Sequence, residues 1–344
     1  MKNMQNNRIA NSLPGPGKYG LWLLFPCLLM TAAVAADDLS ECMTSKLPQA
    51  DDSMTIGELR LLCQKELQAG SFVVKEKAAE IVSERLRQDE EHVLQPFTLM
   101  AHRPNYMLLA AYNSNGYDPE VYRQQYDDPT LQTGDTEAQF QISIKTPLAI
   151  DLFELFDVYA AYTNRSFWQV YNASAPFRET NHEPEIWMQF HPQWKYLGFT
   201  NTVNAFGLVH QSNGQGGVLS RSWNRLYASF IVERDNLALS FKPWYRFPED
   251  AADDDNPDIT DYLGHYELRA VYKRGEHTFS AMSRNNLESG FSKGALELGW
   301  SFPLGDYPYM KGYVQLFNGY GESLIDYDQY TNRIGLGFAL TDYL

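Results

Sequence analysis

The chain has 344 residues, with 43 acidic against 28 basic side chains and a net charge of −15. That balance excludes a sequence-independent grip on nucleic acid, which needs clustered Lys and Arg. Aromatics make up 14% of the chain while mean hydropathy is only −0.42, so the apolar groups are plentiful but dispersed; a transmembrane β-barrel and a soluble β-sandwich both have that make-up.

Residues 1–36 read as a secretory signal. Arg8 and Lys18 supply positive charge, the run from Gly20 to Met30 is the apolar core, and Thr31 to Ala36 offers small residues for cleavage. The apolar run is short and interrupted by Pro26, and no later segment is apolar enough to span a bilayer as a helix. Cys27 falls in the leader, which leaves Cys42 and Cys63 as an even pair in an exported chain, and we expect a disulfide between them. Residues 37–95 form a polar N-terminal periplasmic extension. Within it, Glu76 to Asp89 has helix-forming composition, with Ala78, Ile81, Val82 and Leu86 on one side.

From about residue 97 the pattern has period two. Strands are predicted near 97–112, 137–147, 155–170, 183–191, 198–212, 221–234, 237–247, 261–274, 276–286, 294–303, 308–320 and 331–343. Twelve is an even number, and the connections alternate long and short, as in outer-membrane barrels. Aromatics gather at strand ends, as at Phe167-Trp168, Trp244-Tyr245 and Tyr307 with Tyr309, where interfacial girdles form. In the last strand Ile334, Leu336, Phe338 and Leu340 share the outward face. Pro243 inside a strand has no obvious place in a fully paired ladder. The fold class is therefore all-β: a twelve-stranded antiparallel transmembrane β-barrel over 96–344, preceded by a short, partly helical extension.

The chemistry concentrates between 206 and 232. Phe206, Leu208, His210 and Ser212 fall on one face of a strand; Asn224, Leu226, Ala228, Phe230 and Val232 fall on one face of the next. Across an antiparallel hairpin, faces of like character align. His210, Ser212 and Asn224 then meet at one end of an apolar surface: a base, a nucleophile and a group to orient the base. An isolated His-x-Ser is more often an ordinary polar strand end. Here Asn224 on the matching face, and Gly214 and Ser220 in the intervening turn, favour chemistry. His92, His102, His182, His191, His265 and His277 lack metal-ligand spacing. The acidic run from Asp250 to Asp261 lacks the spacing of a calcium loop and reads as a solvated connection.

His210-x-Ser212-Asn213-Gly214 followed by Ser220-Arg-Ser-Trp-Asn-Arg225 resembles the outer-membrane phospholipase A family of Gram-negative bacteria. The resemblance extends through Pro176-Phe-Arg-Glu-Thr-Asn181, Asn256-Pro-Asp-Ile-Thr260 and Tyr320-Gly-Glu-Ser-Leu-Ile-Asp326, and covers roughly 97–344. It implies a calcium-dependent homodimer that hydrolyses phospholipid acyl esters (A1, A2 and lysophospholipase activity), with its site toward the outer leaflet. It assigns Ser212 as nucleophile, His210 as general base and Asn224 as the residue orienting the histidine. Ser220 and the carbonyl of Gln215 match calcium ligands, and Ser174 matches the ligand donated by the partner subunit. Asn164 stands where the family has a glutamine at the dimer interface. Bound calcium, with the Ser212 backbone N–H, would stabilise the oxyanion. Two other readings of the residues stand beside this one: a non-catalytic barrel, pore or structural, and a soluble secreted β-protein with a ligand-binding face.

Overall fold

The structure, a computed structural model, describes residues 44, 46, 57, 60, 63, 80–93, 98–173, 175–287 and 289–343. The chain divides into two compact units, Met1–Lys77 and Ala78–Leu344. In the first, the described residues Thr44, Lys46, Gly57, Arg60 and Cys63 are helical, and Cys63 is buried and disulfide-bonded. The predicted leader and Cys42 lie outside the described residues.

The second unit is a closed antiparallel barrel. Its strands are β1 (Met100–Ala101), β2 (Asn105–Asn113), β3 (Thr136–Leu152), β4 (Phe156–Trp168), β5 (Phe177–Phe190), β6 (Lys195–Tyr196), β7 (Phe199–Ser212), β8 (Ser222–Arg234), β9 (Leu237–Arg246), β10 (Tyr266–Arg274), β11 (His277–Asn285), β12 (Gly294–Leu304), β13 (Tyr307–Gly319) and β14 (Thr331–Thr341). β1 pairs only with β3 and β6 only with β7; the other twelve form the ring, closed by β14 on β2 from Arg333↔Asn113 to Thr341↔Asn105. The predicted first strand is split, because Pro104 cannot donate to the ladder and the chain bends at 102–104. The fourth begins at Phe177, earlier than the alternation suggested, and takes in most of the 176–181 motif.

Alternation decides which side each residue faces. On β14, Ile334 and Leu336 are 45% and 53% exposed while Arg333, next to Ile334 in the alternation, is 2% exposed. Ile142, Ile186, Leu208, Leu226, Phe279 and Leu298 likewise point outward. Such a continuous apolar exterior is what a bilayer solvates and water does not. Gly337 sits at a register shift where an added Cβ would lie 1.9 Å from the Met107 carbonyl, so no side chain fits between β14 and β2 there. Pro243 also finds its explanation: it pairs with Tyr266 on β10, and on the β8 side lies in a gap between Tyr227↔Trp244 and Phe230↔Phe241. Its missing N–H interrupts nothing.

The lumen is filled by charge. Arg178 meets Glu137 at 2.9 Å and also pairs with Asp326; Arg333 pairs with Glu322 and donates to Gln315 at 2.7 Å; His102 contacts Glu185 at 2.8 Å. The turns at one end of the barrel are short, with 153–155, 235–236, 275–276 and 305–306 connecting their strands. Helix α1 (Ile81–Val93) lies at that end. Fully buried Glu233 accepts hydrogen bonds from the Val82 and Ser83 N–H groups at 2.7 and 3.2 Å, satisfying orphan donors of the first turn. Ile81 packs with Ala238 and Val271, and Asp89 pairs with Lys145 at 2.6 Å. The sequence pattern places this helix a few residues earlier, in an extension before the barrel. The contacts that draw it in come from residues about 150 positions away, which helical periodicity cannot register.

Candidate active site

The long connections 114–135, 247–265 and 320–330 gather at the other end of the barrel, with the turn 213–221 among them. In that turn Gly214 has φ +66° and Gly217 φ +62°, the left-handed region open to glycine. Asn213, 2% exposed, holds the turn together: its Nδ2 donates to the Leu219 carbonyl at 2.7 Å, and its Oδ1 accepts from the N–H groups of Gln215 and Arg221 at 3.2 and 3.1 Å. Leu219 is buried with Tyr122, from helix α2 (Glu120–Tyr126), and with Ile325. The motifs at 176–181, 256–260 and 320–326, far apart in sequence, converge here. Glu179 accepts from Asn181 Nδ2 at 2.6 Å and from the Ile325 N–H at 3.2 Å, and Asn181 Oδ1 accepts from the Leu324 N–H at 3.1 Å. Asn256 Oδ1 accepts from the Ser222 N–H at 3.0 Å. Burial, and then the Asp258 carboxylate it donates to, push the Tyr327 phenol above its ordinary range, so it stays a donor between two of these loops.

On the outer wall, β7 and β8 pair His210 with Asn224 and Ser212 with Ser222. His210 is exposed, beside Leu208 and Leu226, which are 49% and 47% exposed. Its Nδ1 lies 2.9 Å from Asn224 Oδ1. An amide oxygen only accepts, so Nδ1 is the donor in this bond, and in the neutral ring that leaves the lone pair on Nε2. Ser212 stands two residues along on the same face, its Oγ accepting from the Gly214 N–H at 3.0 Å. The hydroxyl makes no hydrogen bond to His210 among the described residues; such bonds are commonly loose until substrate is bound. All three predicted residues thus share one outward patch at the end of one hairpin. On the inner side Gln211 accepts from Trp223 Nε1 at 2.8 Å and Arg225 Nη2 at 3.2 Å, which braces the same hairpin from the lumen.

Of the predicted ligands, Gln215 and Ser220 lie in the turn with Ser212, and Ser174 lies outside the described residues. Among the described residues neither the Gln215 carbonyl nor the Ser220 hydroxyl accepts a hydrogen bond, so both oxygens are available. These are hard, neutral donors, a set that suits calcium rather than a softer ion. No group of three His, Cys, Asp or Glu able to hold a metal occurs among the described residues. The acidic 250–261 segment is used otherwise, with Asp254 paired to Arg246 at 2.6 Å and Asp258 to Tyr327.

Two neighbours escaped the sequence reading. His182 stands opposite Ser212 on β5, with its Nδ1 2.6 Å from the Tyr162 hydroxyl and 3.4 Å from Asn164 Nδ2. Its outward position follows from alternation with Glu183 and Glu185, but its register with Ser212 does not. Glu249, in the β9–β10 connection, accepts from Asn224 Nδ2 at 3.2 Å. No local pattern singles out one carboxylate in an acidic loop.

The family model described as phospholipase A1 matches residues 82–340. A phospholipase A1 of Klebsiella pneumoniae is 38% identical over 260 residues, 75% of this chain and 86% of that protein. The phospholipase A1 of Escherichia coli K12 is 38% identical over 72% of this chain and 83% of its own length. The solved structure of an outer membrane phospholipase A from Escherichia coli superposes with a TM-score of 0.66 at 35% identity, covering 72% of this chain and all of that one. A Salmonella typhi outer membrane phospholipase dimer with bound calcium superposes with a TM-score of 0.67 at 36% identity, over 73% of this chain and 95% of that one.

Proposed function

The chain belongs to the phospholipase A1 family, and from that premise we propose that Ser212, His210 and Asn224 are its catalytic triad, working from the lipid-facing wall of an outer-membrane barrel. The protein is a calcium-dependent outer-membrane phospholipase. The observation that carries the residue assignment is the His210–Asn224 hydrogen bond in direct register across β7 and β8, on the outward face that also bears Ser212.

In this reading the Ser212 hydroxyl attacks the acyl carbonyl while His210 Nε2 takes its proton. Asn224 keeps the imidazole in the tautomer that can do so. The proton then passes to the alkoxide of the departing lysophospholipid, and water, deprotonated by the same nitrogen, releases the fatty acid from Ser212. Acyl chains lie along the apolar wall around Leu208 and Leu226 and need not leave the membrane. Gln215 and Ser220, with Ser174 of a second copy, would hold calcium, which when bound supplies positive charge for the developing oxyanion. The end carrying the long connections then faces outward, with the site at the outer leaflet. Residues 1–36 serve as signal and 96–344 as the phospholipase domain.

The test is phospholipid hydrolysis in detergent micelles, with and without calcium, for the parent and Ser212→Ala. Ser212→Ala loses nearly all activity while keeping the parent's gel migration as a folded barrel. Undiminished hydrolysis by Ser212→Ala would leave only the alternative of a barrel whose motif is inert. The lumen argues against a pore: buried ion pairs line it and α1 packs at its short-turn end.

A further inference from the structure

The Asn224 carboxamide has one end that accepts and one that donates. Oδ1 lies 2.9 Å from His210 Nδ1, and Nδ2 donates to Glu249 Oε1 at 3.2 Å. A carboxylate can only accept. Turning the amide over would set Oδ1 against the Glu249 carboxylate and the NH2 group against the Nδ1–H. Both bonds would be lost, and each would be replaced by a repulsion between like dipole ends. The carboxylate therefore selects the amide orientation, the amide selects the imidazole tautomer, and the tautomer leaves Nε2 free to act as base.

Glu249 is held where it can do this. Pro248 restricts the backbone just before it. The Phe247 N–H donates to the Asn224 carbonyl at 2.9 Å. Arg246 is tied to Asp254 at 2.6 Å and to the Pro257 carbonyl at 3.0 Å, and Asn256 bonds the Ser222 N–H at 3.0 Å. The connection after β9 is thus fastened to β8 on both sides of the glutamate.

We propose that Glu249 is a positioning residue for ester hydrolysis, acting on His210 through Asn224; this rests on the triad assigned above. A triad with a neutral third member lacks the charge that would hold it in one orientation. A carboxylate behind the amide removes that freedom and, through the polarised amide, favours the imidazolium formed during attack.

The experiment uses the full-length protein in micelles with calcium and measures kcat and KM for Glu249→Ala, Glu249→Gln, Asn224→Ala and the Glu249→Ala/Asn224→Ala double variant. Glu249→Ala is expected to lower kcat about tenfold, the loss of one aligned hydrogen bond, with KM unchanged. Glu249→Gln, whose amide oxygen still accepts, recovers most of that loss. On the Asn224→Ala background the Glu249→Ala change adds nothing, because its route to His210 is already cut. Histidine ring 15N shifts, assigned with His210→Gln, give a readout independent of turnover: Glu249→Ala lowers the Nδ1–H tautomer population of His210 and Glu249→Gln does not. An unchanged kcat in Glu249→Ala, an equal loss repeated on Asn224→Ala, or an unmoved tautomer population would overturn the inference. Activity surviving in Ser212→Ala would instead overturn the triad assignment itself, so the two failures are distinct.

Discussion

Asn213 Nδ2 donates to the Leu219 carbonyl at 2.7 Å, so the residue that follows Ser212 closes the turn by bonding to the residue that precedes Ser220. One buried amide thereby sets the spacing between the proposed nucleophile and a proposed calcium ligand. With its two further bonds to the Gln215 and Arg221 N–H groups, it is the mechanical centre of the site.

Asn213→Ala removes four hydrogen bonds, the fourth from Nδ2 to Glu179 Oε2 at 3.4 Å, and leaves a buried carbonyl unpaired. The expected cost is about 2–3 kcal/mol of stability, with a larger relative loss of activity than of folded barrel. Denaturant unfolding in micelles, paired with a hydrolysis assay, checks both. Equal losses of activity and folded fraction would mean that the turn has no special role.

Chelation with EDTA is expected to abolish hydrolysis and to leave the barrel folded, with activity returning on added calcium. Ser220→Ala should raise the calcium concentration for half-maximal activity about tenfold, the loss of one direct ligand. Gln215→Ala should raise it less, because the atom assigned there is a backbone carbonyl that survives the change. The reverse order would move the ligand from the Gln215 backbone to its side chain.

Arg178 and Glu137 form a pair buried beneath the extracellular loops in our reading, with both partners almost fully inaccessible. Arg178→Ala leaves the Glu137 and Asp326 carboxylates without their shared cation and should cost about 3–5 kcal/mol. Replacing both residues by apolar ones of similar volume should recover part of that loss. A double variant no better than the single would show that Asp326, and not Glu137, is the partner that matters.

Glu233→Ala strips the N-terminus of α1 of its acceptor and should destabilise the helix and its seat by about 2–4 kcal/mol. Limited proteolysis near residues 80–93 would become faster while the strands stay protected. Unchanged cleavage would mean that Ile81 and Val82 hold the helix without the cap.

Leu298, mid-strand on β12 and facing outward, tests the membrane assignment directly. Leu298→Arg should cost about 2–4 kcal/mol in a bilayer, as a charge at the midplane of a barrel wall does. A neutral effect in lipid vesicles would place this face in water.

Much of this was legible in advance, and the reason is periodicity. A strand that faces lipid on one side and a charged lumen on the other must alternate, so the twelve strands and their outward faces follow from residue order alone. The hairpin from 206 to 232 could be aligned because its two faces differ in character, and that alignment alone brings His210, Ser212 and Asn224 together. Pro104 and Pro243 show the limit, since the same residue splits one strand and is absorbed by a gap in another, depending on what lies beside it.

By itself, then, the order of residues determined the barrel, its inside and outside, and the three side chains of the proposed triad, because each of these depends on neighbours within one strand or one hairpin. Only the tertiary structure decided that Glu249 backs Asn224, that His182 faces Ser212, that Glu233 draws α1 into the barrel unit, and that three distant motifs brace one turn. Those pairings join residues separated by tens to more than a hundred positions, and no local rule of alternation or propensity records which carboxylate or amide the closed ring will bring alongside.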